Sequence, residues 1–283
     1  MQLANVGGRA SIILGDRVLD VHTASAGELG PDPAVLSDLA HHQLLQQLAD
    51  AADSETLPVL DPVLLGAPTP KPGKVIALAL NYRSHAEESG KAIPDEPHVM
   101  VKFPSSICGP YNNVILPEGR NMIDYEAEIV LVVGKRCTAV SEAEAWDVIA
   151  GVTCGQDISD RGEQFRPPIK QFSMAKSYDT FGPTGPFLVT PDDLADRDDI
   201  EMTCRVNGEQ VQYARSSDFI FSVPTQIAWL SRFVTLEPGD LIFTGTTGGV
   251  GESRTPELFL QDGWTVETEI PGIGSTRNTC VSK

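Results

Sequence analysis

The chain has 283 residues, 41% of them hydrophobic, and a formal net charge of −18 at pH 7. That length supports one large domain or about two smaller ones around a substantial core. The acidic balance argues against nucleic acid and anionic membranes as partners, and an anionic substrate would need a local cationic pocket.

The first residues, Met1-Gln2-Leu3-Ala4-Asn5, lack the basic and apolar regions of a signal peptide, and no apolar run approaches the roughly 20 residues of a membrane span. Cys108, Cys137, Cys154, Cys204 and Cys280 form no CxxC pair and read as reduced thiols. A cytoplasmic protein is expected. Residues 1–70 read as a small α+β domain. Within it, Ala10–Val21 forms a hairpin about Gly15-Asp16, and residues 34–50 carry Val35, Leu36, Leu39, Leu44, Leu45 and Leu48 at near-helical spacing. His41 and His42 lie in that stretch and read as solvated positions.

The Pro/Gly-dense segment 66–73 marks a boundary, and residues 71–283 form the second domain. Strands are expected at 74–80, 98–103, 123–133, 186–190, 201–206 and 241–244. Ser141-Glu142-Ala143-Glu144 opens a helix to about Ala150 as a capping box. Pro224 starts another, with Ile227, Leu230 and Phe233 or Val234 inward. Strands dominate without βαβ alternation, so a doubly wound sheet is disfavoured.

Four constellations carry chemistry. Glu126 and Glu128 sit two apart in the apolar run 123–133, so both point to one face, roughly 7 Å apart along a strand. Buried together they would repel unless a cation lay between them. With Asp157, at the end of the 151–157 strand, they form an all-oxygen set suited to Mg²⁺ or Mn²⁺, with Ca²⁺ also fitting. The alternative is two exposed glutamates on an edge strand and an unrelated loop aspartate. His85 and Glu88 lie three apart on a short helix opened by Ser84 and Glu87, where the carboxylate can orient the imidazole as a base for water; an incidental surface pair is the bland reading. Lys102, Arg161 and Lys176 are cations able to hold a carboxylate, or else ordinary surface charges. Finally, Thr244–Gly251 is Gly-rich but lacks a P-loop ending, and reads as a ligand-approaching turn or a plain loop.

Four blocks, KVIALALNYRSHAEE (74–88), DYEAEIVLVVGK (124–135), GVTCGQDISDRGEQF (151–165) with FSMAKSYDTFGPTGP (172–186), and GDLIFTGTTGGVG (239–251), resemble the fumarylacetoacetate hydrolase family, acylpyruvase-like branch. The resemblance implies an α+β, mostly β fold, with a mixed β-sandwich or β-roll core, peripheral helices and a small N-terminal domain. It implies divalent-metal ligands at Glu126, Glu128 and Asp157, and a water-activating dyad of His85 and Glu88 on a mobile lid. Lys176 would be catalytic, Lys102, Arg161, Gln164 and Thr246 would contact substrate, and the protein would be a homodimer. Three positions depart from the family pattern: Gln156 stands for Asn, Gly162 for Asp and Thr247 for Pro. The implied activity is hydrolysis of a carbon–carbon bond in a 1,3-dicarbonyl acid, such as an acylpyruvate, fumarylpyruvate or 2,4-diketo acid, through a metal-bound enolate. The alternatives are oxaloacetate decarboxylation, a 2-hydroxymuconate-type isomerase or hydratase, and a non-catalytic metal-binding protein.

Overall fold

In the computed structural model, which describes residues 1–283, the chain opens with antiparallel strands β1 (Gln2–Val6), β2 (Arg9–Leu14) and β3 (Arg17–Asp20). Leu14 pairs with Arg17, so Gly15 and Asp16 make the expected two-residue turn. Helix α1 (Leu39–Ala51) is capped by the Asp38 carboxylate, which accepts from the Ala40 amide, and buries Leu45. His41 and His42 have structural contacts, with ring nitrogens 3.0 and 2.9 Å from the Val35 and Leu36 carbonyls.

The remaining principal elements are β4 (Val75–Ala79), α2 (Arg83–Glu88), β5 (His98–Lys102), β6 (Ala127–Val133), β7 (Ile149–Gln156), β8 (Gly182–Val189), β9 (Glu201–Val206), β10 (Glu209–Arg215), α3 (Val223–Leu230), β11 (Leu241–Phe243), β12 (Thr265–Ile270) and β13 (Gly274–Ser282). They form the α+β, mostly β architecture expected. The larger sheet runs β3-β2-β1-β8-β7-β6-β11-β4-β5, with Leu65–Gly66 added on β1 and Ile107–Cys108 on β8. The smaller runs β10-β9-β12-β13, closed by Val114–Leu116. Strand β1 joins β8 through Gln2–Val189 and Leu3–Leu188, so the N-terminal hairpin extends the same sheet. Residues 67–73 form no helix or strand. Pairing is antiparallel except at a few places, among them β11 with β4, whose entry is bridged by Lys74 Nζ to Asp240 Oδ2 at 2.7 Å.

Strand β6 is buried along its whole length and serves two cores. Ile129, Leu131 and Val133 join a cluster with Met202, Val206, Val266 and Ile270 of the smaller sheet. Val130 and Val132 join another with Leu3, Ile12 and Leu45. A strand covered on both faces reads as a continuous apolar run, which is how this segment looks in the sequence.

Three expectations are corrected. The 123–133 run is split: Ile123–Asp124 pairs with Ser159–Asp160, and β6 begins only at Ala127. The segment after Ser141 is a 3₁₀ helix, Glu142–Val148, because Ile149 and its successors are drawn into the ladder with β6; the Glu144 carboxylate still takes the Ser141 amide and hydroxyl. Helix α3 stops at Leu230, leaving Phe233 and Val234 facing outward, 64% and 39% exposed. All five cysteines are free thiols, and no helix is long and apolar enough to cross a membrane.

Candidate active site

One antiparallel register assembles the acidic cluster. Ala127 pairs with Gln156 and Glu128 with Gly155, and beyond the ladder the Asp157 amide donates to the Glu126 carbonyl at 2.8 Å. Glu126 therefore faces Asp157 across the strands, and period two puts Glu128 on the same side. The Gln156 side chain fixes the corner: its Oε1 accepts from the Glu126 amide at 3.0 Å, and its Nε2 donates to Thr268 Oγ1 at 2.8 Å. Carboxylate oxygens of Glu126, Glu128 and Asp157 all lie within 4.8 Å of one another, and all three residues are buried.

Cations surround this cluster unevenly. Lys176 Nζ donates to Glu126 Oε2 (2.5 Å), Asp157 Oδ2 (2.7 Å) and Ser159 Oγ (2.7 Å), which uses its three hydrogens. Lys102 Nζ donates to Asp157 Oδ1 (2.7 Å) and to the Lys176 and Phe181 carbonyls. The Arg161 fork reaches Asp124 Oδ2 (2.8 Å), Glu126 Oε1 (2.7 Å) and Gln164 Oε1 (2.9 Å). Against these three cations stand four buried carboxylates, and Glu128 is the one without an ion-pair partner; its Oε2 accepts only from the Gly245 amide, at 2.7 Å.

The ionisation preferences follow from this imbalance. Burial, then the Asp157 and Glu126 charges, push the Glu128 carboxyl well above the usual range. Burial acts in the same direction on Glu126, but Lys176 and Arg161 more than offset it, so that carboxyl is held low. Burial lowers Lys102 despite Asp157, while at Lys176 Asp157 and Glu126 together outweigh burial and raise it. A divalent metal fits this donor set: three converging oxygens, one of them unneutralised, and an ammonium already bridging the other two.

Helix α2 carries the dyad. His85 Nδ1 donates to Glu88 Oε1 at 2.7 Å, leaving Nε2 as the basic nitrogen. Ser84 lies within the helix and does not cap it; Tyr82 is the residue before the first turn, and Gly90 ends the segment at φ +63°. The chain enters α2 through Leu80, at φ +53°, and through buried Asn81, whose amide donates to the Thr244 carbonyl at 2.7 Å. Gly245 lies against this stem, where a Cβ would stand 2.8 Å from Asn81 Cβ.

A cavity of about 300 Å³ joins the two groups. His85, Glu88, Glu126, Arg161, Gln164, Lys176 and Thr246 line it; Glu128, Asp157 and Lys102 are buried and are not part of its wall. Lys102, expected at the substrate, is fully buried, donates to Asp157 and to the Phe181 carbonyl, and does not line the cavity. Thr246 spends its hydroxyl hydrogen on the Ala127 carbonyl. Sequence reasoning passed over Asp124, which pins Arg161 and accepts the Gly251 and Glu252 amides. It also missed Lys91 and Glu252 at the cavity wall, and an apolar side made by Leu78, Leu80, Met100, Phe165 and Phe172. Asp124 stood inside the acidic block, and that was its only local signal; the others depend on long-range packing.

Residues 74–281 match the family profile described as fumarylacetoacetate (FAA) hydrolase C-terminal. The mitochondrial oxaloacetate tautomerase FAHD2A of Homo sapiens is 41% identical over 236 residues, 83% of this chain and 75% of that protein. Maleylpyruvate hydrolase from Sphingobium sp. SYK-6, solved with manganese(II) ion and pyruvate, is 30% identical with a TM-score of 0.82, covering 100% of this chain and 99% of its own. The 2-hydroxyhepta-2,4-diene-1,7-dioate isomerase of Mycobacterium marinum is 31% identical with a TM-score of 0.74, over 100% and 99% of the two chains.

Proposed function

The chain belongs to the fumarylacetoacetate hydrolase family, and from that premise we propose that it catalyses proton transfer at carbon 3 of a small 2-oxo acid, interconverting keto and enol forms of an oxaloacetate-like substrate. The observation that carries this reading is one cavity of about 300 Å³ lined by both the His85–Glu88 pair and Glu126, the outermost carboxylate of the acidic triad. That volume is at the small end of ligand clefts, roughly 300–1,000 Å³, and suits a short acid.

Glu126, Glu128 and Asp157 would hold a divalent ion, which when bound supplies Lewis-acid polarisation of the substrate's carboxylate and 2-oxo oxygens. Arg161 and Lys176 line the cavity and offset the charge of Glu126 and Asp157, so that the added ion would leave the site able to accept an anionic acid in an otherwise acidic protein. His85 Nε2 removes the carbon-3 proton, and Glu88 holds the ring and balances the imidazolium. The proton held on His85 is then passed by way of solvent to the enolate oxygen, giving the enol and restoring neutral His85; in the reverse direction the same proton returns through His85 to carbon 3.

A second reading, water attack on an acylpyruvate with His85 as base, is favoured by the apolar side of the cavity, which an acyl tail would cover and oxaloacetate does not require. The test measures loss of enol-oxaloacetate absorbance, and release of pyruvate plus a carboxylic acid from acylpyruvates, with Mn²⁺ and with EDTA. For the enzyme and its His85→Ala variant, the first reading expects EDTA-sensitive tautomerisation that falls about 10²–10⁴-fold in the variant. Undiminished tautomerisation by a folded His85→Ala protein would sink it, and acid release from an acylpyruvate would establish the second reading.

A further inference from the structure

The Gly-rich segment touches both halves of the site. At its start the Gly245 amide donates to Glu128 Oε2 (2.7 Å), and Thr246 Oγ1 donates to the Ala127 carbonyl (2.8 Å). Immediately after, Thr247 Oγ1 stands 3.0 Å from Ser84 Oγ, and the Gly248 amide donates to the same hydroxyl at 3.3 Å. The Gly249 amide donates to Glu88 Oε2 at 2.8 Å, while Glu88 gives its other oxygen to His85. One short loop thus grips a carboxylate of the acidic triad at one end and the carboxylate of the dyad at the other.

Helix α2 is anchored at its entry, where Asn81 and Tyr82 are buried and the Tyr82 ring meets Phe219 edge-on, 4.7 Å between centroids, but beyond that stem little holds it. It is six residues long, too short to persist alone, and only Ala86 is buried. Apolar packing of one alanine contributes little, so beyond the buried stem the polar contacts with the loop decide how the helix body, and with it His85 and Glu88, is aimed. Ser84 would be free to cap a helix in isolation, but here its hydroxyl is committed to Thr247. Position 247 is also where the family pattern has proline, which offers no hydroxyl.

We propose that Thr247 is a positioning residue: its hydroxyl, bonded to Ser84 and backed by the Gly248 and Gly249 amides, latches helix α2 to the Gly-rich loop and sets His85 and Glu88 in register with the acidic triad. The inference rests on the reading of His85 as the base, and goes beyond it in saying what holds that base in place.

Four amides report the latch directly, because they are bonded only when α2 is formed: Ala86 to the Tyr82 carbonyl, Ser89 to His85, Gly90 to Glu87 and Lys91 to Ala86. Hydrogen exchange at these positions is followed in EDTA, so the readout does not depend on turnover by the metal-loaded enzyme. Losing one neutral hydrogen bond should raise local opening about three- to tenfold. Thr247→Val is expected to speed exchange at all four amides by that factor and to lower kcat comparably with little change in KM. Thr247→Ser, which keeps the hydroxyl, is expected to restore both. Unchanged protection in Thr247→Val, or failure of Thr247→Ser to restore it, would overturn the latch. Should Thr247→Val fail to fold, Ser84→Ala removes the same bond from the more exposed side, with the same expected exchange and the same refuting result. If protection falls and Ser restores it while kcat stays constant, the latch stands and the assignment of His85 as base is what fails.

Discussion

Replacing Lys176 with methionine tests the charge balance on which the site depends. Lys176 is 1% exposed and its ammonium donates to Glu126, Asp157 and Ser159, so Lys176→Met removes the counter-ion that two buried carboxylates share, leaving Glu126 with Arg161 and Asp157 with Lys102. Breaking a buried ion pair from one side costs about 3–5 kcal/mol, a large share of the roughly 5–15 kcal/mol by which domains are stable. At about 2–4 °C per kcal/mol for a chain of this size class, the melting temperature in EDTA should fall by about 6–20 °C. Without Lys176, whose charge helps hold the Glu126 carboxyl low, that group takes a proton more readily, so the loss should be greater at pH 8 than at pH 6. Mn²⁺ replaces the missing positive charge and should raise the variant's melting temperature more than that of the wild type. Urea unfolding and calorimetry, each with EDTA and with Mn²⁺, measure all three effects. A variant within about 1 kcal/mol of wild type in EDTA, at either pH, would refute the claim that Lys176 neutralises the cluster.

Gly249→Ala should destabilise the protein by about 1–3 kcal/mol, visible as a lower urea midpoint, because φ is +100° there and the new Cβ would lie 2.3 Å from the Val211 carbonyl oxygen; a variant as stable as wild type would contradict the close approach. At the far end of the molecule the Arg9 guanidinium beside Asp20 holds that carboxyl well below the usual carboxylate range. A depressed folded value means the stabilisation is present above the unfolded value of 3.8 and lost as pH falls through the folded one. Arg9→Met should therefore unfold at a slightly lower urea concentration at pH 7, as befits an exposed pair, with the gap from wild type closing as pH falls below about 4. A gap that stays constant with pH would assign the loss to packing.

Legibility in the sequence tracked the range of the physics involved. Glu126 and Glu128 could be paired because strand alternation is local, and the His85–Glu88 contact because three positions make neighbours on a helix. Asp157 was harder: its place opposite Glu126 depends on β6 meeting β7 in one register out of several. The depth of Lys102 is not legible in the sequence, since the Phe181 carbonyl that receives it is 79 positions away. Ser84 was read as a cap because the competing hydroxyl of Thr247 lies 163 positions on. The helix after Ser141 was drawn too long for the same reason, since pairing with β6 overrides the local preference at Ile149 and Ala150.

The parallel pairing of β4 with β11 has a consequence for the timing of synthesis. The two strands emit the dyad segment and the Gly-rich segment side by side, yet Lys74 and Asp240 at their entry are separated by 166 positions. A growing chain has made every carboxylate of the triad, and both members of the dyad, while β11 is still unborn. Contacts of such long range close late and slowly. Competence therefore waits for β11, and a nascent chain that has not yet passed Phe243 carries the reactive residues without the frame that aims them.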